Sequence, residues 1–249
     1  MAIAGPNSVE TAHLDELIEL ESTYWWHVAK RELADQLLGI HCPAPANLVE
    51  GGIGAAGNLC HWQAQGYVVS GLDIMPQSVA RAQELGLKSV QHHDLMQPWP
   101  LESTSQDVAI LLDVLEHVAE PELVLRNAAK VLRESGLIIF TVPAYPQLYC
   151  DWDKCLGHFR RYTLDMIRMQ VESAGLTLTS VRHWNSFSLP AAMVTRTCRR
   201  WSQTHDRAEF PRVSPWLNRG LISLARVESL VAEYLGMPCG LSLVGVISK

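Results

Sequence analysis

Three stretches of the chain hold residues whose types and spacing can do chemistry. In the first, the acid Glu50 leads into a glycine-rich turn, Gly51-Gly52-Ile53-Gly54-Ala55-Ala56-Gly57, and Asp73 closes the apolar run that follows. Glycines there admit a ligand to the backbone where a Cβ would push it away. A helix opening after the turn offers unpaired N–H groups, and a carboxylate at the tip of the second run can accept from both hydroxyls of a ribose. The second stretch is Asp113-Val114-Leu115-Glu116-His117. The third is LYCDWDKCLGHFRRYT, Leu148 to Thr163, which crowds Asp151, Asp153, His158, Arg160, Arg161 and Tyr162 together. Imidazoles such as His117 and His158 can move a proton near neutral pH, and an arginine fork matches a carboxylate or phosphate.

The elements that must position these groups follow from the apolar pattern. Asn47 to Glu50 reads as a strand, Asn58 to Gln65 as a helix closed by Gly66, and Tyr67 to Leu72 as a second strand. A helix opens with Pro76 and ends at Gly86. Ser89 to His92 is a short third strand followed by Asp94-Leu95. Gln106 to Asp113 is a fourth strand, apolar on both faces as a central parallel strand should be. Pro121 to Arg133 reads as a helix, Ser135-Gly136 as a turn, and Leu137 to Val142 as a fifth strand. Strand and helix alternate, which predicts a parallel sheet with right-handed crossovers. The third stretch then lies over the carboxyl edge of that sheet, where ligands bind in such folds; otherwise it reads as a polar loop, with Thr163 as N-cap of a helix over Leu164 to Ala174. Leu176 to Trp184 alternates as a sixth strand, and Leu241 to Ile247 reads as the last.

Upstream, residues 1 to 9 are expected to fray, and Thr11 to Glu21 carries acids and leucines at helical spacing. Tyr24-Trp25-Trp26-His27 precedes a helix over Val28 to Leu38, stopped by Gly39 and Pro43. Adjacent helix positions point apart, so one tryptophan is expected in the core while Tyr24 or Trp25 covers a ligand. Lys30 and Arg31 are placed to meet a carboxylate. These parts predict an N-terminal helical cap over 1–45 and a binding domain over 46–249.

Composition narrows the classes. A chain of 249 residues, 48% hydrophobic and 18% charged, suits one α/β domain with an insertion. A net charge of −6 without a basic run argues against nucleic acid as a partner. The 6 cysteines form no Cys-x-x-Cys and read as reduced thiols in a cytoplasmic protein. Cys150, Cys155 and His158 match no familiar zinc spacing, so no metal is expected. There is no signal peptide pattern and no apolar run long enough to span a bilayer, which leaves peripheral membrane contact open.

Two ligands compete for the glycine turn. Gly52-x-Gly54-x-x-Gly57 with Asp73 beyond it matches the dinucleotide fingerprint, which would make the protein an NAD-dependent oxidoreductase. An acid such as Glu50, so close to the turn, would repel a pyrophosphate; a sulfonium ligand carrying an ammonium group tolerates it. The segments VEGGIGAAGN, GLDIMPQSVARAQ, LLDVLEHVAEPELVLRNAAKVL and SGLIIFTVPAYP together resemble class I S-adenosylmethionine (SAM) methyltransferases of the UbiE/UbiG-like kind, over about Trp25 to Pro146, and LDVLEHV is the most specific part. Ala56 departs from the pattern, since many members carry a glycine there.

The resemblance implies a Rossmann-like, seven-stranded, mostly parallel sheet with an antiparallel last strand. It implies SAM as cofactor, S-adenosylhomocysteine as product, and a cofactor site of Trp25, Arg31, Glu50, Gly52, Gly54, Asn58, Asp73, Ile74, Asp94, Leu95, Asp113, Val114 and His117. Within that set Glu50, Gly52 and Gly54 would hold the methionine end, Asp73 the ribose, and Asp94 with Leu95 the adenine. His117, His158, Arg161 and Tyr162 are the candidates on the reacting side. A helical insertion over 186–236, leucine- and valine-rich from Asn218 to Leu235, would cover the sheet or close as a lid over a small or lipid-like acceptor. A non-methylating SAM enzyme and a SAM-fold binding subunit are the remaining readings.

Overall fold

The computed structural model describes residues 14–201 and 211–249. The expected fraying of residues 1 to 9, the start of the first helix at Thr11 and the polar link from Gln203 to Glu209 lie outside them. A helix over 14–20 (α1) is followed by α2 (Trp25–His41). Then come β1 (Asn47–Gly51), α3 (Gly57–Ala64), β2 (Val68–Asp73), α4 (Pro76–Glu84), β3 (Val90–His92), β4 (Gln106–Leu112), α5 (Pro121–Val131) and β5 (Leu132–Pro143). A short α6 (Asp151–Cys155), α7 (Leu164–Ser173), β6 (Thr177–Trp184), α8 (Leu189–Trp201), α9 (Pro215–Leu235) and β7 (Ser242–Ser248) complete the chain.

The seven strands form one sheet in the order β3-β2-β1-β4-β5-β7-β6. The first five are mutually parallel, and β7 runs antiparallel between β5 and β6. This is the Rossmann-like architecture expected from the sequence. The apolar run of β4 is the centre: Val108, Ala109, Ile110 and Leu111 have no exposed surface, and full burial of each large side chain contributes roughly 1.5–3 kcal/mol. One face of the sheet packs on α2, through Ala29, Leu33, Ala34, Leu37 and Leu38, and on Leu59 and Trp62 of α3. The other packs on α5 and α7. Helices α2, α5 and α7 show their apolar residues on one stripe, as helices flanking a sheet do.

The strand order reverses between β1 and β4, which opens a crevice at their carboxyl ends. Gly51 leaves room at this crossing for the leucines beside it: a Cβ there would lie 2.9 Å from Leu111 Cδ2, which would have to shift. Two boundaries differ from the sequence reading. The fifth strand begins at Leu132, which pairs with Gln106, so Ser135-Gly136 lies inside it rather than in a turn; the sheet partner overrides the local turn signal. The stretch read as a polar loop contains α6, whose N-terminus is closed by Asp153 accepting from the Cys150 N–H at 2.9 Å. The expected cap at Thr163 is present, with its hydroxyl accepting from Met166 N at 3.2 Å. Among the described residues no helix is long and apolar enough to cross a membrane.

Two glycines make opposite predictions. A Cβ on Gly245, in the middle of β7, would lie 2.6 Å from the Ser180 carbonyl and 2.7 Å from the Phe140 ring. Gly245→Ala should therefore cost about 1–3 kcal/mol, lowering the thermal midpoint by roughly 2–4 °C per kcal/mol. Gly220 in α9 has nothing within 4 Å of a built Cβ. Gly220→Ala should stabilise by about 0.5–1 kcal/mol. Calorimetry of both variants checks the pair.

Candidate active site

The glycine turn is pinned from two sides. Asp73, at the tip of β2, accepts from Gly54 N at 3.1 Å and from Met75 N at 2.8 Å. Helix α1 lies across the turn. The Glu21 carboxylate accepts from Gly57 N with both oxygens, at 3.1 and 3.0 Å, and so occupies the N-terminus of α3, where a negative charge is stabilised. Leu17 Cδ2 lies 2.8 Å from a Cβ built on Gly54. Ala56, the departure from the family pattern, sits in the left-handed region with φ 66°, a conformation that strains any residue with a Cβ.

Glu50 is buried beside this turn. Its Oε1 accepts from Asn58 Nδ2 at 3.1 Å, while Oε2 has no partner among the described residues. Burial pushes its carboxyl well up, Glu21 and Asp73 add repulsion, and Asn58 offsets part of this. Burial also raises Asp73 and Glu21, against the backbone N–H groups that favour their ionised forms. Asp113, just beyond β4, also has a positive φ, 55°. It pairs with Lys30 Nζ at 2.9 Å and accepts from the Thr141 hydroxyl at 2.7 Å. Burial would raise its carboxyl, but Lys30 outweighs that and holds it below the usual range.

On the far side of Asp113, Glu116 is fully buried and neither carboxylate oxygen has a partner among the described residues. Burial and the neighbouring Asp113 push it well above its ordinary range. The rings of His117 and His158 meet edge to face with centroids 4.6 Å apart. His158 is fixed by Asp153, which has no exposed side-chain surface and gathers four donors: His158 Nδ1 at 3.2 Å, Arg161 Nε at 2.7 Å, Arg196 Nη1 at 2.7 Å and Cys150 N at 2.9 Å. Burial alone would raise Asp153; hydrogen bonding from His158 and the two guanidinium charges drive it far below the ordinary carboxylate range instead.

The structure thus brings Glu50, Gly52, Gly54, Asn58 and Asp73 together at one edge, with Val114 Cγ2 2.8 Å from a Cβ built on Gly52. Asp94 accepts from Met96 N at 2.9 Å in a turn after β3, and Leu95 is buried next to it. Ile74 is 62% exposed. Arg31, half-buried, lies near enough to Glu21 to lower it. Trp25 is half-buried, its backbone N–H donating to Asn218 Oδ1 and its ring 5.7 Å from Phe187; Trp26 packs on Trp184, and the Tyr24 hydroxyl donates to Pro211 O. Arg161 turns inward, donating to Asp153 and to the Ala144 carbonyl at 2.9 Å. Tyr162 has no exposed surface and donates to Leu115 O at 2.9 Å. Residues the sequence reading passed over are Glu21, Thr141, Glu116 and Arg196. The Glu116 position stood in the LDVLEHV segment in plain view; the others act across long separations that carry no local signal.

Comparison with known proteins gives the family and the fold. A family model described as a methyltransferase domain matches residues 25–181. One similar solved structure is a chain of the Haloferax volcanii complex between the Trm112 methyltransferase activator and a methyltransferase, at 17% identity and TM-score 0.64, covering 99% of each chain. Another is a TehB-like SAM-dependent methyltransferase from Corynebacterium glutamicum, at 16% identity and TM-score 0.59, covering 98% of this chain and 100% of that one. A third is the Burkholderia thailandensis 1,6-didemethyltoxoflavin-N1-methyltransferase with bound 1,6-didemethyltoxoflavin and S-adenosylhomocysteine, at 18% identity and TM-score 0.52, covering 73% of this chain and 84% of that one. These likenesses are of fold. A search of curated proteins finds no match.

The Asp153 cluster yields a stability prediction. Removing the carboxylate strands two inward-facing arginines, so Asp153→Ala should cost about 3–5 kcal/mol. Asp151→Ala should leave the midpoint unchanged, because its pair with Lys154 is open to water. A carboxyl held low in the folded state stabilises above its unfolded pKa of about 3.9. That contribution is therefore lost as pH falls below about 4, and denaturant titrations at pH 7 and pH 3 should show the Asp153→Ala penalty shrinking at the lower pH.

Proposed function

The chain belongs to the family of methyltransferase domains, and from that premise we propose that it moves a methyl group from SAM to a small-molecule or lipid-like acceptor, in the manner of the UbiE/UbiG-like kind its motifs resemble. The observation that carries the reading is the buried, half-satisfied carboxylate of Glu50 beside a glycine turn. A ligand bearing an ammonium and a sulfonium compensates such a group. A dinucleotide fits less well: its pyrophosphate needs the N-terminus of α3, and the Glu21 carboxylate already sits there.

When bound, SAM supplies a methyl group activated by the positive charge on sulfur. The protein's part is to hold and orient. Glu50, Gly52, Gly54 and Asn58 would take the methionine end, with Trp25 and Arg31 closing over it. Asp73 has acceptor capacity beyond its two backbone N–H bonds for the ribose, while Asp94, Leu95 and Ile74 would border the adenine. Asp113, Val114 and His117 line the path from there to the acceptor. Holding donor and acceptor in line can contribute about 7–11 kcal/mol. His117 or His158 would take a proton from a hydroxyl acceptor, worth roughly 10²–10⁴-fold. Arg161 and Tyr162 serve the same side by position: Arg161 fixes Asp153, which fixes His158, and Tyr162 anchors the Leu115 carbonyl beside Glu116. The 186–236 insertion is tied to the same side by Arg196, and its apolar surface suits a partly apolar acceptor.

Turnover of methyl-labelled SAM with a panel of hydroxylated and amine acceptors tests the activity, and absence of any transfer together with tight SAM binding would favour the binding-subunit reading. On the cofactor side, Asp73→Ala should weaken SAM by at least about tenfold, one charge-assisted bond being worth about 1.5–3 kcal/mol, with the fold retained. Calorimetric titration that found SAM affinity unchanged would remove Asp73 from the site.

A further inference from the structure

Glu116, His117 and His158 each offer a ligand atom, and these atoms all lie within 4.8 Å of one another. We propose that they form a site for a divalent transition-metal ion of the zinc, iron or manganese type, next to the reacting side of the cleft. Two imidazoles and one carboxylate, with positions left open, are a donor set that such ions take, whereas magnesium and calcium favour all-oxygen surroundings.

Three independent features point to a ligand here. Glu116 is fully buried with both carboxylate oxygens unpartnered among the described residues, so in its ionised form it is stabilised by a cation and by nothing the described side chains supply. His158 is held in the manner of a metal ligand: with Asp153 accepting from its Nδ1, the neutral imidazole offers the lone pair of its other ring nitrogen, and the carboxylate that orients it is itself locked by Arg161 and Arg196. His117 completes the set from an exposed position, its ring edge to face with His158. Bonds of about 2.0–2.2 Å bring ligand atoms closer than 4.8 Å, so binding an ion would draw the three side chains together, His117 being the exposed one of the three.

This rests on the methyl-transfer reading for its role. Asp113, which pairs with Lys30, raises Glu116 electrostatically, so the ion would lie beside the segment bordering the transferred methyl group. An acceptor hydroxyl bound at an open position would lose its proton to solvent more readily. Its oxygen then forms the bond to the methyl carbon as the carbon–sulfur bond breaks and leaves S-adenosylhomocysteine. The acceptor class is thereby narrowed to molecules with a hydroxyl or catechol-like oxygen able to ligate.

The test uses the full chain, stripped with a chelator and titrated calorimetrically with ZnCl2 and MnCl2 in the absence of SAM and acceptor. One equivalent should bind. His117→Ala, an exposed change that leaves the core intact, and Glu116→Gln should each weaken binding by at least about tenfold. His92→Gln with His93→Gln, which alters an imidazole pair elsewhere on the surface, should change nothing. Failure of zinc and manganese to bind, or equal binding by His117→Ala and the unaltered chain, would overturn the site. SAM titration of the same stripped sample reports separately on the methyl-transfer reading, so the two failures cannot be confused.

Discussion

Negative charge held out of water at the carboxyl edge of the sheet is the constraint around which this molecule is arranged. Glu21, Glu50, Asp73 and Glu116 all have their carboxyls raised by burial, and none of the four pairs with a lysine among the described residues, whereas Asp113 beside them pairs with Lys30. Buried charge is tolerated only when hydrogen bonds or counter-charges meet it. The fold supplies some of these: backbone N–H groups of the glycine turn for Asp73 and Glu21, and the Asn58 amide for Glu50. What the described residues leave unmet, one oxygen of Glu50 and both of Glu116, marks two places where something cationic would be stabilising.

The rest of the chain holds that edge in shape. Helix α2 delivers Lys30 from the opposite side of the sequence, and α1 delivers Glu21. The insertion is stitched back at several points. Arg196 of α8 reaches Asp153, Asn218 accepts from the Trp25 backbone N–H, and Arg226 pairs with Glu32, while inside the insertion Glu228 of α9 accepts from Ser186 N and its hydroxyl. The N-terminal helices and the insertion therefore meet each other directly, and neither is an appendage to the sheet. Asp153 joins the segment after β5 to α8, and by accepting from its Nδ1 it orients the His158 imidazole.

Much of this was legible in the sequence wherever the signal was local. The strand, glycine turn, helix and acid from Asn47 to Asp73 announce themselves because the ligand-facing groups belong to one contiguous unit, and the central strand was recognised by its apolar run. The Thr163 cap was recognised for the same reason. The parts that escaped depend on partners far away. Nothing near Glu21 says that it will cap α3, and nothing near Arg196 says that it will turn toward Asp153. The start of β5 at Leu132 escaped because Ser135-Gly136 carries a turn signal that the ladder to β4 overrules. Arg161 looked like an acceptor-binding arginine by type and neighbourhood; its inward pairing with Asp153 is a property of packing, visible only once α6 and α8 are in place.

The central claim is that the glycine-turn edge is built for a cationic ligand. A cation favours the ionised form of a carboxyl that burial raises, so binding should release protons and tighten as pH rises through the weakly acidic range. The direct measurement is calorimetric titration of the full chain with SAM in buffers of different ionisation enthalpy, repeated with S-adenosylhomocysteine and NADH. Net proton release with SAM is the expected result, with less for the uncharged-sulfur product and no binding of NADH. Preferential binding of NADH, or proton uptake on binding SAM, would contradict it.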